Sequence, residues 1–187
     1  KSRIPFLNIF DGFRTSHEIS KIDVIPDQVI RSMIPEEKVM NHKKHSLDPD
    51  HPVIRGTSQN PDVFFQAREA ANKYYEQVPE IVQEIMDEFY EHTGRRYNLF
   101  DYVGHPEAER VAIIMGSGQG AVWETMEKMV GEGEKVGALF VRLYRPLSAK
   151  DMIAKLPKTV KKIAVLDRTK EPGSIGEPLY MDVLSAF

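Results

Sequence analysis

The spacing of apolar residues divides the chain into two parts with different patterns. Residues 1 to about 108 are polar and interrupted by prolines, with stretches of helical periodicity. From about residue 109 onward, short apolar runs alternate with helical segments. Such alternation is typical of an α/β domain whose strands are buried in a mainly parallel sheet. The pattern therefore predicts an irregular and helical annex over residues 1 to about 108, followed by an α/β domain.

The beginning of the first part is predicted to contain one strand and much irregular chain. Ile4 to Phe10 has the composition of a short strand, and Asp11-Gly12 is a turn dipeptide that would end it. Residues 24–60 are expected to be mostly irregular, with one short helix over residues 27–33. The reason is a series of prolines that break regular structure: Pro26, Pro35, Pro49, Pro52 and Pro61.

Two longer helices are predicted at the end of the first part. Asn60-Pro61-Asp62 supplies an N-cap residue, a proline for the first turn and an acid beside the helix N-terminus, so a helix should run to about residue 75. A second helix should run from Pro79 to residue 93 and end at Gly94. Its apolar residues recur at helical spacing and define one face: Ile81, Val82, Ile85, Met86, Phe89 and Tyr90.

The second part predicts a three-layer α/β/α sandwich. Strands are expected near residues 110–115, 136–143 and 162–166, and helices over residues 120–130, 148–156 and 177–187. Strands joined through helices run parallel, and right-handed crossovers place such helices on both faces of the sheet. Three strands make a thin sheet for this architecture. We therefore expect further strands beyond Phe187, in a longer polypeptide of which this chain, which lacks an initial Met, is a piece.

Composition excludes several functional classes. With 41% hydrophobic and 28% charged residues the chain resembles a globular domain, and its apolar runs are too short to cross a membrane. A net charge of −3 gives no overall basic field for nucleic acid. The sequence has no cysteine, so it offers no ligand for a Cys-bound zinc ion or iron–sulfur cluster. The absence of cysteine also fits a reducing, cytoplasmic location.

A glycine-rich turn is the main candidate for ligand binding. Gly116, Ser117, Gly118, Gln119 and Gly120 lie between a predicted strand and a predicted helix, as in a dinucleotide fingerprint. Backbone N–H groups at such a turn attract an anion. The next strand ends without an acid for a ribose hydroxyl, but it carries two cations that would suit a phosphate: Arg142 and Arg145.

The alternative is a purely structural turn, or one that packs against another domain. In a structural turn, an alanine at Gly118 would be expected to strain the backbone. These seven residues therefore form a candidate anion or coenzyme site, with the structural interpretation preferred.

Two other groupings of reactive side chains favour structural interpretations. One contains possible metal ligands, but its neighbouring lysines would repel a cation: His42, His45, Asp48, Asp50 and His51. The other lies within residues 10–18, where Asp11, Ser16 and His17 are too close in sequence to converge as a triad. A capped helical turn starting near Thr15 or Ser16 is the preferred interpretation there. No catalytic residue and no metal site are predicted.

Three long stretches resemble one enzyme family. They are FDGFRTSHE (10–18), HPVIRGTSQNPD (51–62) and KKIAVLDRTKEPGSIGEP (161–178). In these stretches, and along its full length, the chain is similar to pyruvate:ferredoxin oxidoreductases, especially the bacterial flavodoxin-reducing type. The resemblance identifies the chain as an internal segment. It implies that residues 1–105 are the end of the first domain with a helical connection, and that residues 106–187 are a second domain similar to the C-terminal domain of transketolases.

The resemblance implies properties of a parent enzyme rather than of this segment. Enzymes of the family are large homodimers that convert pyruvate and coenzyme A to acetyl-CoA and CO2, with ferredoxin or flavodoxin as electron acceptor. They use thiamine diphosphate, Mg²⁺ and [4Fe–4S] clusters. The family's thiamine-diphosphate motif and cluster cysteines match nothing here, and its pyruvate-binding residues lie upstream of Lys1. We therefore expect a structural, interdomain module without its own cofactor or active site. The remaining domains of the parent are its expected partners, and a coenzyme- or phosphate-binding module is the alternative.

Overall fold

The computed structural model describes residues 1–54 and 58–187. Arg55–Thr57, inside the second family-like stretch, lie outside the described residues. The chain forms two compact units, one of residues 1–5 with 21–96 and one of residues 6–20 with 97–187. In chain order the elements are α1 (Arg14–His17), α2 (Asp27–Met33), α3 (Glu36–Lys43), α4 (Pro61–Glu69), α5 (Asn72–Glu76), α6 (Val78–Thr93), β1 (Phe100–Gly104), β2 (Arg110–Ile114), α7 (Gln119–Gly131), β3 (Val136–Val141), α8 (Ala149–Lys155), β4 (Lys162–Leu166) and α9 (Pro178–Ala186).

The first unit is helical, as its periodicity predicts, although its helices are divided differently. Helices α2 and α6 lie where they are expected, and α6 ends at Gly94, whose φ of 70° is left-handed. The helix predicted over residues 61–75 is interrupted between α4 and α5. There, i to i+3 hydrogen bonds from Ala71 to Arg68 and from Tyr74 to Ala71 tighten the chain into turns.

Helix α3 is absent from the sequence-based prediction. Pro35 was treated as a helix breaker, but it precedes the helix in an extended conformation. Its carbonyl oxygen accepts the backbone N–H groups of Lys38 and Val39, at 3.0 and 3.3 Å. A proline at the start of a helix loses no hydrogen bond, because its missing N–H would be unpaired there.

The strand predicted over Ile4–Phe10 is wrong. No described residue of this stretch belongs to a strand, and Leu7 and Ile9 are 88% and 83% exposed. A strand exists only when a neighbour completes its hydrogen-bond ladder, and β-forming composition alone does not supply one.

The second unit confirms the α/β prediction. Its sheet has the order β1-β3-β2-β4, and β2 is parallel to both β3 and β4. The additional strand β1 runs antiparallel to β3 at one edge. Strand β3 is buried at every position, as expected for an inner strand covered on both faces.

Helices cover the sheet from opposite sides. Val122 and Met126 of α7 pack on the face that carries Ile114, Ala138 and Phe140. The crossovers from β2 to β3 and from β3 to β4 run in opposite directions across the sheet, so right-handed connections place α7 and α8 on opposite faces. The described part of the chain has no helix of the length and apolarity needed to cross a membrane.

Close backbone approach fixes β1 to β3. Gly104 (φ 136°) pairs with Gly137, and a Cβ on Gly137 would overlap the Tyr102 side chain. The Tyr102 hydroxyl donates to the His105 carbonyl oxygen at 2.7 Å, which holds the ring across β3. Glycine at 137 is therefore required by the space that Tyr102 fills.

Candidate functional site

The glycine-rich turn lies at the carboxyl end of β2 and holds a carboxylate of the same chain. The backbone N–H of Ser117 donates to Oδ2 of Asp11 at 2.7 Å, although the two residues are 106 positions apart. Arg168, two residues beyond β4, places Nη1 2.8 Å from the same oxygen and 2.9 Å from Oγ of Ser117. We call Asp11, Ser117 and Arg168 the Asp11 cluster.

Asp11 is held as a carboxylate. Hydrogen bonds from the side chain and backbone of Ser117 lower its pKa from the ordinary value of 3.8, and Arg168 acts in the same direction. The Asp11 side chain is 26% exposed and the Arg168 side chain 60% exposed, so water screens the ion pair. The main effect of the cluster is therefore to fix the position of residue 11, and its contribution to the free energy of unfolding is small.

The five residues of the turn have distinct conformations. Gly116 has a φ of 85°, and a Cβ there would lie 3.0 Å from the Asp11 carboxylate. Gly118 has ordinary helical angles, φ −68° and ψ −11°, and precedes α7. Gln119 and Gly120 form the first turn of that helix. The backbone strain expected at Gly118 is therefore absent there, and Gly116 is the position that needs glycine.

The two predicted cations bind acids of their own. Nε and Nη2 of Arg142 both lie 2.9 Å from Oδ2 of Asp101, and its guanidinium stacks 4.8 Å from the centre of the Tyr97 ring. Nη2 of Arg145 lies 2.9 Å from Oδ2 of Asp182. Arg142 thus fastens β1 to the end of β3. The structure does not bring either arginine into the Asp11 cluster, where Arg168 is the cation.

Sequence reasoning missed Asp11 and Arg168 as partners of the turn. Asp11 was interpreted as a turn former, because it precedes Gly12. Arg168 follows a predicted parallel strand, so its place at the carboxyl edge of the sheet was available as a signal. The long-range pairing with Asp11 has no local signal.

The loop after β4 connects this cluster to α9. Asp167 accepts the backbone N–H groups of Leu179 at 3.4 Å and Tyr180 at 3.0 Å, in the first turn of α9. Within the loop, Glu177 binds Nζ of Lys170 and the backbone N–H of Glu171, both at 2.9 Å. These contacts lower the pKa of Glu177, with the Lys170 hydrogen bond as the largest cause.

The other groupings form local contacts. His51 pairs with Asp48 at 3.1 Å, and no three metal-ligating side chains converge in residues 1–54 and 58–187. The Ser16 hydroxyl donates to the Phe13 carbonyl oxygen at 3.2 Å, within the turn of α1. Asp11, engaged by Ser117, does not orient His17 as a triad would require.

Two groups that the family resemblance implies, an iron–sulfur cluster and an anionic coenzyme, meet obstacles in this chain. Cysteine ligands for an iron–sulfur cluster are absent from the sequence. At the glycine-rich turn, the Asp11 carboxylate accepts the Ser117 N–H that a phosphate would use, and its charge repels a second anion. An anionic coenzyme would have to displace Asp11.

Comparison with known proteins relates both parts of the chain to one enzyme. Residues 1–87 match the thiamine-diphosphate-binding family of pyruvate flavodoxin/ferredoxin oxidoreductases. Residues 108–187 match core domain II of pyruvate:ferredoxin oxidoreductase. The chain is 58% identical to the pyruvate-flavodoxin oxidoreductase of Trichormus variabilis over all 187 residues, and 57% identical to that of Rhodospirillum rubrum. It is 53% identical to the pyruvate:ferredoxin oxidoreductase of Moorella thermoacetica over 98% of its length.

A solved structure shows the fold at lower identity. The 2-oxoglutarate:ferredoxin oxidoreductase of Magnetococcus marinus, solved with 2-oxoglutarate, coenzyme A and succinyl-CoA, matches 70% of this chain and 19% of its own, with a TM-score of 0.50 and 20% identity. The chain spans 16% of the length of the curated relatives. Two matched models from one enzyme and identities above 50% along the whole chain confirm the resemblance. As a segment, this chain belongs to the pyruvate flavodoxin/ferredoxin oxidoreductase family.

Proposed function

We propose that the chain is a structural, interdomain module of a pyruvate:ferredoxin or flavodoxin oxidoreductase. The parent would convert pyruvate and coenzyme A to acetyl-CoA and CO2, using thiamine diphosphate, Mg²⁺ and [4Fe–4S] clusters. Ferredoxin or flavodoxin would take the electrons, and the parent would be a cytoplasmic homodimer. The names of the relatives support this reaction. The chain spans 16% of the length of these relatives, which fits a structural role for the segment.

The Asp11 cluster carries this proposal. Residues 6–20 fall within the stretch that the thiamine-diphosphate-binding family matches. They nevertheless lie in the same compact unit as residues 97–187, most of which match core domain II. Asp11 joins the two through Ser117 and Arg168. A contact between stretches from two family domains is what an interdomain module requires.

The expected division near residue 105 is part of the proposal. The first family match ends at residue 87 and the second begins at residue 108, so a boundary at 105–106 lies within the interval between them. We place the end of the first domain and its helical connection in residues 1–105. We assign residues 106–187 to the transketolase-C-terminal-like domain.

Coenzyme binding at residues 116–120 is not favoured. The Ser117 N–H already binds Asp11, and Arg142 and Arg145 bind Asp101 and Asp182. The negative charge of Asp11 would repel a phosphate at the turn.

Asp11→Asn in the complete parent enzyme tests the two functions against each other. The amide keeps the size of the side chain and removes its charge, so the Arg168 pair is weakened. For an interdomain module, we expect a midpoint of thermal unfolding lowered by a few degrees, with the KM values for pyruvate and coenzyme A unchanged. Asp48→Asn, which removes an exposed carboxylate paired with His51, is the control and should leave the midpoint in place. A KM for coenzyme A that changes with an unaltered midpoint would instead support the coenzyme-binding module.

A further inference from the structure

Two consecutive residues after β4 bind different parts of the second unit. Asp167 accepts the N–H groups of Leu179 and Tyr180 at the start of α9. Arg168 binds the Asp11 carboxylate and the Ser117 hydroxyl at the start of α7. Asp167 and Arg168 are joined by one peptide bond, so a displacement of the backbone at one residue also displaces the other residue.

The loop that follows is cross-linked internally. Glu177 binds both Lys170 and the backbone of Glu171, and the Ser174 N–H donates to the Glu171 carbonyl oxygen at 3.1 Å. These contacts hold the loop ends together over residues 170–177. A loop restrained in this way transmits a shift at Arg168 to the first turn of α9 instead of absorbing it.

We propose that residues 167–177, the coupling loop, make the docking of Asp11 and the capping of α9 open and close as one cooperative unit. Release of Asp11 removes one of the two partners of the Arg168 guanidinium, the coupling loop loosens, and Asp167 leaves the N–H groups of Leu179 and Tyr180. Capping of α9 in turn favours the docked position of Asp11, because a coupling between two sites acts equally in both directions.

The ion pairs of the unit are of the kind that opens locally. The Arg168 and Lys170 side chains are 60% and 79% exposed, so their ion pairs are screened by water. Strand β3, by contrast, is buried at every position. Exposed polar contacts open at lower free energy than a buried strand, so the coupled unit opens while the sheet stays folded.

As a consequence, the order of the exposed surface of α9 depends on residues 6–20, which are distant in sequence. Helix α9 exposes Tyr180 and Leu184, at 41% and 56%, and Phe187, directly after the helix, is 65% exposed. Docking of residues 6–20 through Asp11 would stabilise the helix that presents these apolar side chains. The inference does not depend on the proposed function, since it concerns the fold of the second unit alone.

Native-state hydrogen exchange on the unmodified full chain is the first test. Exchange of the amides of Ser117, Leu179 and Tyr180 is followed as urea is raised below the unfolding transition. We expect the opening free energies of the three amides to converge on one value with one urea dependence. This value should lie below the opening free energy of the β3 amides. Three separate urea dependences, or convergence only at global unfolding with β3, would overturn the proposal.

Matched variants provide the second test. Asp11→Asn should accelerate exchange at Ser117 and also at Leu179 and Tyr180, by about two- to fivefold, the range expected for loss of an exposed ion pair. Asp167→Asn should accelerate exchange at Ser117, and Asp48→Asn, in the other compact unit, should change none of the three amides. Unchanged exchange rates of the β3 amides show that a variant keeps its fold. If a variant does not keep its fold, the experiment on the unmodified chain decides alone. Acceleration confined to the amide that each substituted carboxylate itself binds would overturn the coupling.

Discussion

The glycines of the turn after β2 have different requirements, although they are close in sequence. Gly116 is left-handed at φ 85°, with the Asp11 carboxylate beside it, whereas Gly118 is helical. Gly120, in the first turn of α7, has nothing within 4 Å of an added Cβ. The pattern of glycines predicts a tight turn, but the residue that needs left-handed angles is decided by the tertiary contact with residue 11.

Alanine at two of these positions should therefore have opposite effects on stability. Gly116→Ala should lower the free energy of unfolding by about 1–2 kcal/mol, the cost of left-handed angles for an L-residue. Gly120→Ala should raise it by about 0.5–1 kcal/mol, because alanine is the better helix former. Urea unfolding of both variants measures the difference, and equal losses at the two positions would contradict it.

Protonation of Asp11 should release it from the turn at low pH. Because folding lowers its pKa below 3.8, the stabilising contribution of this contact is present above pH 3.8 and is lost as the pH falls through the lower, folded value. NMR titration should give a carboxyl midpoint for Asp11 below 3.8, and the Ser117 amide shift should follow it. The amide should lose this transition in Asp11→Asn. A carboxyl midpoint at or above 3.8 would show that the hydrogen bonds do not form in solution.

Elements with a strong local signal were predicted well, and elements that depend on a neighbour were not. Helix α6 has helical periodicity and a terminal glycine; its start differs from the prediction by one residue and its end agrees with it. Strand β1 was missed because residues 100–104 become a strand only by pairing with β3. The strand predicted over residues 4–10 fails for the converse reason, since no described strand pairs with it.

The apolar face of α6 is covered only in part. Ile85 and Phe89 line a groove of about 400 Å³ together with α2 residues that include Val29 and Met33. Val78 is the buried residue of the helix, and the rest of its apolar face is half-buried except Tyr90, which is exposed. The apolar face of α6 is thus intermediate between full burial and full exposure.

Ile85→Ala should therefore cost less than a substitution in a sealed core. We expect a loss of about 1–2 kcal/mol in the free energy of unfolding, against about 2–5 kcal/mol for a fully buried position. Glu84→Ala, on the exposed side of the same helix, should change stability by less than about 0.5 kcal/mol. Denaturant titration compares the two variants. A loss above about 3 kcal/mol for Ile85→Ala would indicate that the groove is closed in solution.

At the scale of the whole molecule, the second unit is built on a four-stranded sheet. The fold class and family were predictable, because they depend on local sequence signals. These signals are the alternation of strands and helices and three long motifs. The candidate site was half predictable. The turn at residues 116–120 was found from its glycines, but Asp11 and Arg168 reach it across 106 and 51 positions of sequence.

The isolated chain should not oxidise pyruvate. It carries no cysteine for a cluster, and its glycine-rich turn is occupied by Asp11, so we expect no reduction of a low-potential acceptor above a protein-free blank. The assay contains pyruvate, coenzyme A, thiamine diphosphate and Mg²⁺, with the complete parent enzyme as the positive control. Turnover by the chain alone would contradict the assignment of a structural role.

Strand β4 has a practical consequence for anyone who produces this segment by itself. It is the last strand of the sheet, its outer edge faces no described strand, and Leu166 is 44% exposed. An open, β-branched edge is a template for pairing between copies, and a lysine at its first position, Lys162, is the kind of charge that hinders such pairing. We expect loss of that lysine to favour association between copies, and a further charge at Ala164, an exposed position of the strand, would be the first change to make for concentrated samples.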